Sequence, residues 1–402
     1  MTRKIAVIGA GTAGVLNAAH LCTWLDSSWQ VCSIYNPHKK ILGIGESTNG
    51  AFVSVLERAT NFSLAHADDL AALDATIKFG SKIVGWRKQS WINPLLSGNV
   101  AIHFNTLHFK DFVFERLAAL WPNQFSTLEA DVQDIESYAD HVTLQTDQGR
   151  LDFDYVVDCM GTPSSFQGYT LSDCTLMDRC RVHAIEHYDY EPFTEHIATR
   201  DGWMFGVPLK SCKTYGYLYN HQLTETAAAE AEMTRLLGVQ RLDSGRYDAH
   251  YAFRCYYANE LLSGRVFKNG NKALFFEPLL ANSQFLYIYA ARLIYDHIVL
   301  GQEASRCNAL FVRAVQQMED VISYYYKGGS TYESEPWRSA AAQASTRLQR
   351  RTEFSDYLRG LAELKQKGVM HSGAAYGFSP QSWQIVDEHM GYGSFDMPEE
   401  NA

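Results

Sequence analysis

Lys4-Ile5-Ala6-Val7-Ile8-Gly9-Ala10-Gly11-Thr12-Ala13-Gly14-Val15-Leu16-Asn17-Ala18-Ala19-His20-Leu21 is the stretch that decides the fold. Its first five residues are a run of strand formers, and the glycines that follow lead directly into a helix-forming run. In that setting Gly9 permits the tight turn, Gly11 lets the backbone approach a pyrophosphate, and Gly14 lets helix pack on strand. Thr12 and Ala13 complete a loop whose phosphates would sit on the helix amino terminus. A second strand over 30–35 closes the βαβ unit. It ends Ile34-Tyr35-Asn36, where an acid that bonds the ribose hydroxyls is usual. Tyr35 or Asn36 can still donate or accept there, so the expected grip on adenosine is atypical and weaker.

A small-residue loop, Gly43-Ile44-Gly45-Glu46-Ser47-Thr48, comes next and could run close to a flat ring system. Far downstream, 151–160 reads as a buried strand ending in Asp158, after a hairpin with the turn Asp147-Gln148-Gly149. A strand that returns to the sheet suits a two-part, Rossmann-like FAD-binding domain of an α/β protein, which a nicotinamide dehydrogenase would not need. The length of 402 residues predicts two domains or one sheet domain with an added lobe. A formal charge of -10 disfavours a nucleic-acid surface. The 8 cysteines are scattered without a Cys-x-x-Cys pair and read as reduced thiols. His183 and His187 lie four apart with no third ligand in range, so no metal is expected. The apolar start is too short for a signal-peptide core, and 273–300 is interrupted by Glu277, Asn282, Arg292, Asp296 and His297. A cytoplasmic protein that does not enter the membrane is the expectation.

With these pieces in order the chain resembles the flavin-dependent halogenases of the tryptophan halogenase family, within the wider flavin monooxygenases. The resemblance rests on the GAGTAG turn, the 45–49 segment, Lys78-Phe79-Gly80-Ser81-Lys82-Ile83-Val84-Gly85-Trp86, Asp158-Cys159-Met160-Gly161, 202–209 and Phe276-Glu277-Pro278-Leu279. It implies that reduced FAD from a separate flavin reductase reacts with O2 and halide to give hypohalous acid, which reaches a lysine beside a small aromatic substrate. Lys78 matches that lysine, and its neighbours Ile77 and Phe79 predict an ammonium among apolar groups, where desolvation lowers its pKa. Lys82 reads as a surface residue.

By the same resemblance, Pro278 and Leu279 join the cofactor site, and Trp203, Phe205, Pro208, Leu280, Asn282 and Ser283 adjoin the flavin or the substrate. Two departures from the family pattern stand out. Phe205 replaces one tryptophan of the WxWxIP signature, and Leu280-Ala281-Asn282-Ser283 replaces Glu-Ser-Thr-Gly, which removes a carboxylate and a glycine. The lost carboxylate argues for an electron-rich arene. A β-carbon at Ser283 threatens the approach of halide to backbone donors. A hydroxylating monooxygenase and a flavin-fold protein without oxygen chemistry remain open as alternatives, and the resemblance leaves room for a homodimer.

The expected organisation is a discontinuous FAD-binding core over 1–300, with helical insertions near 111–139 and 226–250. A mainly helical region over 301–402, broken at Lys327-Gly328-Gly329-Ser330, would cap the substrate.

Overall fold

A computed structural model describes residues 2–39, 45–87, 90–95, 99–174, 176–242, 249–367 and 378–395. Gly43 and Ile44 of the small-residue loop lie outside them. The strand Arg3–Ile8 sits inside a six-stranded sheet. The order across it is Leu262–Ser263, Val266–Lys268, Tyr155–Asp158, Arg3–Ile8, Trp29–Tyr35 and Phe125–Glu129. Every pairing is parallel except that of the two outermost strands at the Leu262 edge. Ile5 and Val7 pack in one hydrophobic cluster and Ala6 and Ile8 in another, which is why this strand is a continuous apolar run: both its faces are covered. The fold is α/β with a Rossmann-type sheet, as the opening stretch indicates.

A second sheet has seven strands, ordered Ala249–Ala252, Arg179–Ile185, Lys213–Tyr219, Gly202–Pro208, Phe193–Ala198, Gly80–Val84 and Trp91–Pro94. A three-stranded antiparallel sheet, Gly45–Ser47, Ala101–Asn105 and Thr76–Lys78, brings Ser47, His103 and Lys78 to neighbouring positions.

The helical expectation for 111–139 is corrected. The helix spans Thr106–Leu120, Pro122 follows, and the chain turns into Phe125–Glu129 and Val132–Ser137. A proline two residues past the helix end cannot continue it. The freed chain supplies the edge strand of the nucleotide sheet. In 226–250 the helix covers Thr226–Leu237 only, and Ala249–Ala252 is a strand.

The carboxy-terminal helices are Ala304–Lys327, Glu335–Arg350, Thr352–Gln366 and Pro380–Met390. They meet the large sheet at an aromatic cluster in which Trp86 lies 5.0 Å from Trp337, 5.1 Å from Tyr326 and 6.0 Å from Trp203 between ring centres. Beside it, Arg347 pairs with Glu319 at 2.7 Å, with Asp320 at 3.3 Å and with Asp173. Burial pushes both the Glu319 and Asp320 carboxyls upward. Arg347→Met is expected to cost about 3–5 kcal/mol, because it strands two buried carboxylates. The deficit should grow from pH 5 to pH 8, since protonation relieves carboxyls whose folded-state pKa is raised. Urea melts of both proteins across that range measure it.

Candidate functional site

The helix Thr12–Trp24 begins at the floor of a cavity of about 1340 Å³. Gly9 has φ +99°, which favours glycine, and a Cβ on Gly14 would lie 1.9 Å from the Gly9 carbonyl oxygen. A Cβ on Gly11 would meet no protein atom within 4 Å, so space lies open above the turn. The helix has no acidic residue of its own in its first turn, so its positive end faces that space. These features fit a pyrophosphate.

One end of the cavity is lined by Tyr35, Asn36, Lys39, Lys110 and Asp131. A carboxylate reaches this end from the chain just after the neighbouring strand. Tyr35 donates its hydroxyl to Glu129 at 3.2 Å, Asn36 donates to Asp131 at 3.0 Å, and Lys39 pairs with Asp131 at 2.8 Å. Tyr35 therefore contributes a cavity wall, and Asp131, to which no motif in the sequence points, is the carboxylate at this end. It is reachable from sequence only once 125–129 is known to lie beside 29–35 in the sheet.

The other end is lined by Ser47, Thr194, Phe205, Val207, Pro278 and Ser283. Between the ends, Glu46 accepts from Thr12 at 2.6 Å and from Gln284 at 2.5 Å, and burial raises its pKa. One carboxylate thus ties the phosphate turn to the helix Asn282–Ile298. A long cavity with a phosphate turn in the middle fits a flavin dinucleotide.

Several residues that the sequence assigns to the site do not line this cavity, Asp158 among them. It caps the Met160 N–H at 2.9 Å and pairs with Lys272 at 3.2 Å, holding the return strand in place beneath a wall that Cys159, Met160 and Gly161 form. Thr48 and Leu279 are buried in the wall rather than on its surface, and Thr48 donates to Ile102 O at 2.7 Å. Gly45 begins the strand that carries Glu46 and Ser47. The strand Gly202–Pro208 is buried at every position, not half-buried in alternation, because it is central in its sheet. Trp203 and Phe205 share one face of that strand, but Trp203 packs into the aromatic cluster while Phe205 reaches the cavity lining. A Cβ on Gly216 would fall 2.1 Å from the Phe205 ring, so the tip of that ring occupies the space beside the glycine.

The left-handed backbone of this segment lies two and three residues before Ser283. Ser283 is helical and lines the cavity, while Leu280 and Ala281 have φ of 61° and 56°. Ala281→Gly is expected to stabilise the protein by about 1 kcal/mol by relieving a left-handed alanine. A rise in thermal midpoint without loss of helix signal checks it.

Lys78 is 3% exposed and lies behind Ser47. Its amine is not held among apolar groups alone: it donates to Ser47 Oγ at 2.8 Å and to Thr48 O at 2.9 Å. Burial brings its pKa down to about 7. Lys82 is partly exposed and pairs with Glu191 at 2.5 Å.

Glu277 is visible in the sequence only as part of a motif. Its carboxyl is buried, accepts from Tyr326 at 2.8 Å and is pushed up to about 8, so it is mostly protonated at neutral pH. The Trp203 indole N–H lies near it without an aligned hydrogen bond. His103 and Thr194 carry no sequence signal either, being a histidine and a threonine inside apolar strand patterns.

The family model described as tryptophan halogenase matches residues 4–139 and 99–396. Tryptophan 7-halogenase KtzQ of Kutzneria sp. is 26% identical over 430 residues, covering 84% of this chain and 78% of that protein. Among solved structures, the tryptophan halogenase of Shewanella frigidimarina superposes with a TM-score of 0.80 at 19% identity, covering all of this chain and 90% of that one. BrvH, a flavin-dependent halogenase from Brevundimonas sp. BAL3, superposes with a TM-score of 0.77 at 17% identity, over 97% of this chain and 90% of that one. No helix among the described residues is long and apolar enough to cross a membrane.

Proposed function

The chain belongs to the tryptophan halogenase family, and on that premise we propose that it halogenates an electron-rich aromatic small molecule through Lys78. Its co-substrates are halide and O2, and reduced FAD comes from a separate flavin reductase. One observation carries this reading. Ser47 both lines the large cavity and accepts a hydrogen bond from a buried lysine whose pKa lies near 7.

Reduced FAD, when bound, would supply two electrons to O2, so that one oxygen atom leaves as water and the other oxidises halide to hypohalous acid. Gly9, Gly11 and the Thr12 helix terminus would hold its phosphates, with Asp131 at the adenosine end. The Lys78 amine then attacks the halogen: an N–X bond forms, the O–X bond breaks, and hydroxide leaves with one amine hydrogen as water. On transfer to the arene a C–X bond forms and the N–X bond breaks. Leu280 offers no carboxylate, so the ring proton returns to the nitrogen that released the halogen. The sum is ArH plus HOX giving ArX plus water. Without a dedicated carboxylate base, rings that stabilise their own cation, such as phenols, pyrroles and indoles, are favoured.

The test is an incubation of the protein with FAD, a flavin reductase, NADH, O2 and bromide over a panel of indoles and phenols, read by mass spectrometry. A product carrying the bromine isotope pair is expected. A hydroxylated product formed equally without bromide would replace this reading by monooxygenation.

A further inference from the structure

A buried hydrogen-bond chain runs from Lys78 to the carbonyl of Pro208, and that carbonyl fixes every hydrogen along it. Thr76 Oγ1 lies 2.6 Å from Pro208 O. A carbonyl only accepts, so the single hydroxyl hydrogen of Thr76 points there. His103 Nδ1, 3.1 Å from Thr76 Oγ1, must then be the donor of that pair. Burial holds the His103 pKa well below the usual range, so the ring is neutral and its Nε2 accepts. It accepts from Thr194 Oγ1 at 2.9 Å. With that hydrogen committed, Thr194 Oγ1 takes the hydroxyl hydrogen of Ser47 at 2.7 Å. Ser47 Oγ is left with lone pairs only and accepts from Lys78 Nζ at 2.8 Å, while Thr48 O accepts from the same nitrogen at 2.9 Å.

The consequence falls on the neutral amine. It has two hydrogens, both engaged, so its lone pair is directed away from Ser47 and Thr48. Without the chain Ser47 could turn its own O–H onto that lone pair and occupy it. We propose that Thr76, Thr194 and His103 are positioning residues that fix Ser47 as an acceptor and so keep the Lys78 lone pair free for halogen. The proposal rests on the reading of Lys78 as the halogen carrier and explains how that nitrogen stays reactive. A neutral His103 makes the chain a means of orientation, not a proton wire.

Other ionisable groups near the amine do not take over this role. His196 lies within electrostatic reach from the Phe193–Ala198 strand, with burial lowering its pKa to about 3, so it stays neutral. Lys213 acts on His103 from the next strand but one, and Tyr190 donates to Ile77 O at 2.8 Å. Glu46 sits on the opposite face of its strand, bonded to Thr12 and Gln284.

The experiment compares Thr194→Val with Thr194→Ser and His103→Leu with His103→Gln. It reads bromination rates and the pH titration of lysine 13Cε resonances, with Lys78 assigned by its loss in Lys78→Met. Thr194→Val is expected to lower kcat at least tenfold and to move the Lys78 midpoint downward, because the released Ser47 hydroxyl bonds the neutral amine. Thr194→Ser should restore both. His103→Gln, whose amide can donate and accept in the same sense, should recover most of what His103→Leu loses. A wild-type kcat and midpoint in Thr194→Val, with Lys78→Ala inactive, would overturn the chain alone. An active Lys78→Ala would overturn the functional reading instead. If His103→Leu does not fold, the Thr194 pair decides.

Discussion

Lys78→Ala is expected to lower halogenation by roughly a thousandfold or more, as removal of a reacting nucleophile does, while FAD binding stays at its wild-type level. Lys78 is behind the cavity wall, so the cofactor surface keeps its shape. The truncation does leave Ser47 Oγ and Thr48 O short of a buried donor, which should cost about 1–3 kcal/mol in stability. Lys78→Met, which keeps most of the stem, separates that structural loss from the chemical one. The wild-type rate should rise with pH through about 7, because the neutral amine is the nucleophile and its fraction grows as the ammonium deprotonates. Flavin fluorescence titration and a bromination assay on the same preparations measure both halves. Wild-type bromination by Lys78→Ala would remove this residue from the mechanism.

Gly14→Ala should be nearly as damaging, but to cofactor binding. Its new Cβ would stand 1.9 Å from the Gly9 carbonyl, a backbone atom with no flexible side chain to swing aside. Either the helix Thr12–Trp24 or the turn before it must shift, and both shape the phosphate site. FAD affinity is expected to fall at least a hundredfold, about 2.7 kcal/mol, together with a lower thermal midpoint. Gly11→Ala makes the contrast. With no protein atom within 4 Å of the added carbon, it should leave the free protein's stability almost unchanged while weakening FAD. If Gly14→Ala bound FAD as tightly as the wild type, the turn would not be the phosphate site.

What could be read from the sequence was what local pattern encodes. The apolar run Lys4–Ile8, the glycine spacing and the return strand to Asp158 state the nucleotide fold before any coordinates, because each is a contiguous strand or turn requirement. Lys78 stands out through family resemblance, not through its neighbours, and its two oxygen partners are invisible in the sequence because they come from residues 47 and 48 across a sheet. Asp131 escapes for the same reason, since 111–139 looks helical through Leu120 and the turn at Pro122 cannot by itself announce a strand returning to the nucleotide sheet. His103 and Thr194 look like ordinary interruptions of apolar strands. Only the meeting of three strand segments gives them partners. The partners of Asp158 are half legible: the Met160 N–H belongs to its own turn, whereas Lys272 comes from a segment more than a hundred residues away.

The Phe205 ring lying beside Gly216 ties the histories of two positions together. A side chain at 216 collides with Phe205, so 216 can vary only if the Phe205 ring swings aside or 205 becomes smaller. A bulkier ring at 205 likewise finds its resting place only while 216 stays bare. The two strands are adjacent and these residues stand directly opposite each other, which makes them one unit of inheritance with two codons. Since Phe205 forms part of the cavity wall, loss of the glycine would move or shrink the residue at 205 and so reshape this end of the cavity. Position 216, which is not among the residues lining the cavity, thereby limits how the cavity can evolve.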